Sequence, residues 1–145
     1  MMIRNVCLED LQDIIDIERK NFSAEEAASL KDMKERILTI PDTFLVAEID
    51  GKICGYVEGP AIFQRYLTDD LFHQVVSNPV DGGFIAITSL SVAPDFKGQG
   101  IGMALLATMK DLAIAQKRIG ITLTCHENLI CLLYTSPSPR DLSTS

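Results

Sequence analysis

A chain of 145 residues, 47% hydrophobic and 23% charged, is long enough for one domain with a hydrophobic core. Its net charge of −7 argues against nucleic acid or an anionic membrane surface as the main partner. No apolar run approaches the roughly 20 residues of a membrane span, and the N-terminus lacks a signal-peptide pattern. Four scattered cysteines without a CxxC pair predict no metal site and indicate reduced thiols in a cytoplasmic protein.

The first forty residues predict one strand and two helices. Met2–Cys7 is the strand, and Leu8–Asn21 is a helix because four residues recur at helical spacing, namely Leu11, Ile14, Ile15 and Glu18. Ser23 followed by Glu26 has the spacing of a capping box. We therefore expect the second helix to run from there towards Ile40.

A hairpin and a long connection follow. Thr43–Ile49 and Lys52–Glu58 are β-rich, and Asp50-Gly51 between them is a strong two-residue turn signal. Residues 60–83 show no regular pattern. A connection of that length in a compact domain is often a functional loop.

The next segment predicts a central strand, a helix and a further strand. Phe84–Val92 is almost continuously apolar and β-branched, which indicates burial on both faces. Gly100–Lys117 has the apolar spacing of a helix, and Ile119–Cys125 reads as one more strand.

Between the central strand and this helix, glycine occupies every second position, at Gly98, Gly100 and Gly102. Glycines leave the backbone free of Cβ atoms where the helix begins. The free N–H groups and the positive dipole end of a helix N-terminus suit a phosphate. The turn therefore predicts a diphosphate-bearing ligand.

The end of the chain departs from this pattern. Residues 131–145 show no periodicity and resemble the translation of an adapter used in preparing sequencing libraries. We therefore expect a domain over residues 1–130, incomplete at its C-terminus, and a non-native tail over residues 131–145. The alternative is a natural disordered tail.

The order of predicted elements, together with the glycine turn, resembles the GNAT superfamily of N-acetyltransferases over roughly residues 2–130. The family's cofactor motif is matched by Lys97, Gly98, Gln99, Gly100, Ile101 and Gly102. Lys97 stands where the family usually has Arg or Gln and still presents a cation. The resemblance implies an α/β fold with a mixed, mostly antiparallel central sheet and flanking helices. With the tail excluded, we expect the final helix and strands to be missing.

Two further segments resemble a bacterial branch similar to arylalkylamine (serotonin-type) N-acetyltransferases. They are residues 21–29 and residues 121–126. This finer resemblance implies acetyl-CoA as donor and the primary amine of a small molecule as acceptor.

The resemblance also implies roles for the strand and turn. The backbone N–H of Leu90 would donate to the oxyanion, and Val92 would pair with the pantetheine arm like an added strand. The pyrophosphate would be held by the motif and the residue after it, that is by Lys97, Gly98, Gln99, Gly100, Ile101, Gly102 and Met103.

The general base is not marked by the resemblance. Animal relatives carry two histidines where this chain has Ala86 and Thr88. Thr88, Glu58 and His126 are the candidate catalytic side chains, each with a structural alternative. These are β packing for Thr88, a solvated strand end for Glu58 and a surface position for His126.

The family's acid, a tyrosine, would lie at about the distance of Tyr134, inside the suspected adapter. We therefore expect the acid to be absent. Acetyl transfer to an amine is the main hypothesis. The alternatives are a non-catalytic acyl-CoA-binding module, an inactive fragment of an acetyltransferase, or a turn that binds another phosphate ligand.

Overall fold

The computed structural model describes residues 1–22, 29–62, 77–124 and 130–134, with residues 123–124 and 130–134 described by their backbone only. Within these ranges, eight strands form two four-stranded sheets, ordered β1-β2-β3-β6 and β4-β5-β7-β8. The strands are β1 Met2–Asn5, β2 Phe44–Ile49, β3 Lys52–Glu58, β4 Ala61–Ile62, β5 Phe84–Ile87, β6 Ser89–Val92, β7 Gly120–Thr124 and β8 Ile130–Tyr134. The helices are α1 Leu11–Asn21, α2 Leu30–Thr39 and α3 Ile101–Ala115. Every strand pair is antiparallel except β5–β7, which confirms the expected mixed sheet.

Helix α2 begins later than predicted. Its N-cap is Ser29, whose side-chain oxygen accepts a hydrogen bond from the Asp32 N–H at 3.1 Å. The predicted capping box at Ser23 and Glu26 lies outside the described residues. A serine cap satisfies one of the free N–H groups of the first turn, so the described helix is capped without that box.

The predicted hairpin is confirmed. Strands β2 and β3 pair from Phe44↔Glu58 to Ile49↔Lys52, with one irregularity beside Ala47. At the turn, Asp50 and Gly51 both have positive φ, 53° and 79°. This is the left-handed backbone that the favoured two-residue hairpin turns require.

The central strand, predicted as one element, is divided at Thr88. Its first part, β5, pairs in parallel with β7, whereas β6 pairs antiparallel with β3. The division coincides with Gly59, where a Cβ atom would lie 1.8 Å from the Ala86 carbonyl oxygen. Only glycine allows the two backbones to approach this closely. Since β6 stays with β3 while β7 follows β5, a gap opens between β6 and β7.

The C-terminal part of the described chain contains a strand that the sequence did not predict. Residues 131–134, which the sequence assigned to a non-native or disordered tail, form β8 together with Ile130. This strand is antiparallel to β7, from Gly120↔Tyr134 to Thr124↔Ile130. A run of apolar, β-forming residues satisfies the outer backbone edge of β7. The adapter origin of residues 131–145 stays a prediction.

Two hydrophobic cores lie on opposite faces of the β2–β3 ladder. The face under α1 and α2, which we call the helix-pair face, includes Phe44, Val46, Tyr56, Ile14 and Met33. The opposite face, under α3, includes Leu45, Ala47, Val57, Leu105 and Met109. This arrangement follows from the alternation of side chains along each strand.

Candidate functional site

The first part of the site is the free backbone edge of β6. The Ala93 N–H bonds to the Cys54 carbonyl at 2.8 Å, so Ala93 faces β3. Because backbone groups alternate in an antiparallel ladder, those of Val92 and Leu90 point the other way, into the gap beside β6. The N–H and C=O groups of Leu90 and Val92 therefore line this gap, and their contact with an extended ligand stays a prediction.

A groove of about 220 Å³ lies along this edge. It is lined by Asn21, Phe22, Leu90, Ser91, Val92 and Lys97. The side chain of Asn21, the last residue of α1, donates to the Ser91 hydroxyl at 2.6 Å and to the Val92 carbonyl at 2.8 Å. Helix α1 is thus fastened to the strand edge at the groove.

The glycine turn lies at one end of the groove. Gly98 and Gly100 have φ of 84° and 77°, and a Cβ atom on either would meet nothing within 4 Å. Gly100 is the N-cap of α3, and the first helical hydrogen bond runs from the Ala104 N–H to its carbonyl at 3.0 Å. The N–H groups of the first turn, at Ile101, Gly102 and Met103, therefore have no acceptor within the helix.

The side chains around this turn suit an anion. Lys97, Gln99 and Met103 are exposed, whereas Ile101 is buried against the core below. Helix N–H donors, open space above two glycines and one lysine form a cradle that fits a diphosphate. Gly102 lies inside the helix, and a Cβ there would be in ordinary contact with Val92 at 3.8 Å.

The second part of the site is centred on Glu58, which the sequence named as a candidate catalytic side chain with a solvated strand end as the alternative. Glu58 is fully buried, not a solvated strand end. Its Oε1 accepts a hydrogen bond from the Thr88 hydroxyl and lies 3.2 Å from the Arg36 guanidinium. Among the described residues its Oε2 has no hydrogen-bond partner. β packing was the alternative for Thr88. This residue lies where the central strand divides, and its hydroxyl donates to this carboxylate.

Burial raises the pKa of Glu58 above the usual range of a glutamate, and the negative charge of Glu18 adds to the effect. The Arg36 guanidinium and the Thr88 hydroxyl act against this increase. A carboxylate whose pKa is raised is a better proton acceptor, when ionised, than one at the surface.

A second buried pair lies on the same face. The Tyr56 hydroxyl donates to the Glu18 carboxylate, and Glu18 is only 4% exposed. Burial, followed by the adjacent Glu18, raises the pKa of Tyr56. Glu18 shares the helical spacing of Leu11, Ile14 and Ile15, but the sequence indicated no partner for it. A charged residue at such a position was the available signal for this cluster.

Some predicted residues cannot be placed. His126 and most of the irregular stretch, at residues 63–76, lie outside the described residues. Tyr134 lies on β8, and nothing is described of its side chain. Ala86 is buried in β5, beside Gly59.

Family comparison agrees with this geometry. Residues 11–130 match the Acetyltransferase (GNAT) family. The chain belongs to this family. The glycine turn, at residues 97–102, is the segment that resembles the family's cofactor motif.

Individual relatives support the same assignment. An uncharacterized N-acetyltransferase of Methanocaldococcus jannaschii is 33% identical over 115 residues, covering 77% of this chain and 58% of that protein. Two solved structures share the fold at 20% identity. A GNAT-like decarboxylase, GphF, in complex with isobutyryl-CoA has a TM-score of 0.74 and covers 88% of this chain and 68% of that one. The loading GNATL domain of CurA from Lyngbya majuscula has a TM-score of 0.69, with 85% and 63% covered. The chain thus spans less than two thirds of the curated relative and of the CurA domain.

Two features are absent from the described ranges. None of the helices α1 to α3 is both long and apolar enough to cross a membrane. Across residues 1–22, 29–62 and 77–122, no group of three His, Cys, Asp or Glu side chains is arranged to hold a metal ion.

Proposed function

We propose that this protein transfers an acetyl group from acetyl-CoA to the primary amine of a small molecule, by direct attack in a ternary complex. The observation that carries the proposal is the adjacency of two features at Thr88. On one side is the strand edge of Leu90 and Val92, and on the other is the buried carboxylate of Glu58. A donor edge and a proton acceptor are the two groups that acyl transfer to an amine requires.

The cofactor half is supported by the fit of the groove and turn to acetyl-CoA. The groove along β6 would take the extended pantetheine arm, and the α3 N-terminus with Lys97 would take the pyrophosphate. Acetyl-CoA supplies an activated thioester. The Leu90 N–H would then face the carbonyl oxygen of that thioester and stabilise its negative charge during the reaction.

The chemistry requires removal of protons from the acceptor. An alkylamine with a pKa of about 10.4 is mostly protonated at pH 7 and is not a nucleophile in that form. Glu58 would accept a proton, directly or through one water, with Thr88 fixing the orientation of its carboxylate. The neutral amine nitrogen then forms a bond to the acyl carbon, and the carbon–sulfur bond breaks. The thiolate of CoA leaves and takes up the extra proton that the nitrogen carries after its attack.

The class of acceptor is proposed from the arylalkylamine-like segments at residues 21–29 and 121–126. The relative from Methanocaldococcus jannaschii, named an N-acetyltransferase, supports amine acetylation more generally.

The unpaired thiols of Cys7 and Cys54 agree with a cytoplasmic protein.

The proposal is tested by thiol release from acetyl-CoA with a panel of primary amines, including arylalkylamines, alongside calorimetric titration with CoA. We expect CoA binding and amine-dependent thiol release. Binding without thiol release for every amine would favour the non-catalytic acyl-CoA-binding module. No CoA binding, together with binding of another nucleotide, would overturn the proposal.

Placement of the pyrophosphate is tested by Gly100→Glu, with Gly51→Glu as matched control. Both glycines have φ near +80° and open space around a Cβ position, so the backbone strain is equivalent. Only Gly100 lies at the α3 N-terminus, where a carboxylate would repel phosphates. We expect CoA affinity to fall at least tenfold in Gly100→Glu and to stay unchanged in Gly51→Glu. Equal affinities would refute the placement.

A further inference from the structure

The groove along β6 contains a polar side chain to which the proposed function gives no role. Asn21 is half-buried, and its amide nitrogen donates to both Ser91 Oγ and the Val92 carbonyl. A carbonyl oxygen can only accept, so the amide nitrogen must face it. The Oδ1 atom is therefore fixed on the other side of the amide group.

That oxygen atom is buried and, among the described residues, has no hydrogen-bond partner. A buried acceptor without a donor costs free energy, commonly more than a hydrogen bond returns. Since Asn21 lines the groove, a bound ligand could supply the missing donor there. Phosphate oxygens and a thioester carbonyl only accept hydrogen bonds, whereas the pantetheine arm carries two amide N–H groups.

We infer that Asn21 is a binding residue for the pantetheine arm, its Oδ1 accepting an amide N–H of the cofactor. This rests on the proposed function and refines it. The Val92 carbonyl already accepts a hydrogen bond from the Asn21 amide nitrogen. At this point of the β6 edge, Asn21 Oδ1 therefore accepts the cofactor N–H in place of that carbonyl. The Val92 N–H stays directed into the gap, where it can donate to a pantetheine carbonyl.

The test compares two ligands on the same protein by calorimetry. CoA contains the pantetheine arm, whereas 3′,5′-ADP carries only the nucleotide end. We expect Asn21→Ala to weaken CoA binding about tenfold and to leave 3′,5′-ADP binding unchanged. Asn5→Ala is the matched control, because the Asn5 amide also donates to a carbonyl, that of Pro41 at 2.9 Å, but at an exposed position. This control should change neither affinity.

Each other outcome has a definite meaning. If Asn21→Ala weakened the binding of both ligands equally, Asn21 would only hold α1 against β6. If the affinity for CoA were unchanged, Oδ1 would not be used. Either result overturns this inference but not the proposed function. Failure of the wild-type protein to bind CoA would overturn the proposed function as well. If Asn21→Ala does not fold, NMR of the wild-type protein decides. The Asn21 side-chain amide signals must shift with CoA and not with 3′,5′-ADP, and unchanged signals with CoA refute the contact.

Discussion

The two faces of strand β3 differ in what they bury. Towards α3, Val57 and its neighbours Leu45 and Leu105 pack in a core of apolar side chains. Towards α1 and α2, Tyr56 and Glu58 bring a phenol and a carboxylate into the interior, alongside Arg36 and Glu18. One strand thus separates a face that stabilises the fold from a face that carries ionisable groups.

This difference has an energetic meaning. Burial of an apolar side chain stabilises the folded chain, whereas burial of a charged one costs free energy unless it is paired. The helix-pair face retains a carboxylate whose ionisation is disfavoured by burial. Such groups cluster at functional sites, so this face is the one to perturb when activity is measured.

The largest effect is expected from Glu58→Gln. Gln keeps the acceptor oxygen for Thr88 and Arg36 but cannot take a proton from the amine. We expect kcat to fall by about 10²- to 10⁴-fold, measured by thiol release from acetyl-CoA. Glu48→Gln is the control, because Glu48 also bonds an arginine, Arg4 at 3.1 Å, but far from Thr88. Unchanged activity in Glu58→Gln would remove Glu58 as the base.

The α3 face should respond in the opposite way. Leu105 is fully buried and approaches the backbone of Gly55, where a Cβ atom would lie 3.3 Å from its Cδ1. Leu105→Ala should lower the free energy of unfolding by about 2–5 kcal/mol, measured by urea denaturation. Leu38→Ala, at a position 60% exposed on α2, should change it by less than about 0.5 kcal/mol. Similar losses in both variants would contradict the core assignment.

The smallest effect is a dependence of stability on pH. The pKa of Glu58 is raised in the folded chain, so its favourable contribution is present at low pH and is lost as the pH rises through that pKa. Glu58→Gln lacks this titration. Relative to the wild type, its free energy of unfolding should therefore increase by about 1.4 kcal/mol per pH unit between about pH 4.3 and the raised pKa of Glu58.

Asp10 provides the contrast for this experiment. Burial alone would raise its pKa, but hydrogen bonds from Arg4 and from the Cys7 N–H hold the pKa below the usual range. Its contribution is present above about pH 3.9 and is lost as the pH falls through the lowered pKa. Asp10→Asn should thus approach the wild type in acid. The two predictions would be contradicted if the free energies of unfolding of Glu58→Gln and Asp10→Asn, each taken relative to the wild type, changed with pH in the same way.

Local signals were sufficient for much of the fold. The Asp50-Gly51 turn, the apolar spacing of α1 and the glycines before α3 each act over a few residues, and the structure has these elements close to the predicted bounds. The strand edge at Leu90 and Val92 followed from the family resemblance, and the register places their backbone groups in the gap.

The rest depends on contacts between distant positions. Glu58 is buried by Arg36 and Thr88, which are 22 and 30 residues away, so its strand-end position gave no sign of burial. The division of the central strand at Thr88 depends on Gly59 approaching Ala86, and an unbroken apolar run cannot show it. Asn21 meets Ser91 across 70 positions, and no periodicity relates them.

The backbone bond between Thr88 and Glu58 has a mechanical consequence. The Thr88 N–H donates to the Glu58 carbonyl at 2.9 Å, two residues before Leu90. The Glu58 carboxylate and the strand edge at Leu90 are therefore linked through Thr88 by its backbone as well as by its hydroxyl. A displacement of β6 would carry Thr88 with it, so the strand edge and the position of the carboxylate would change together.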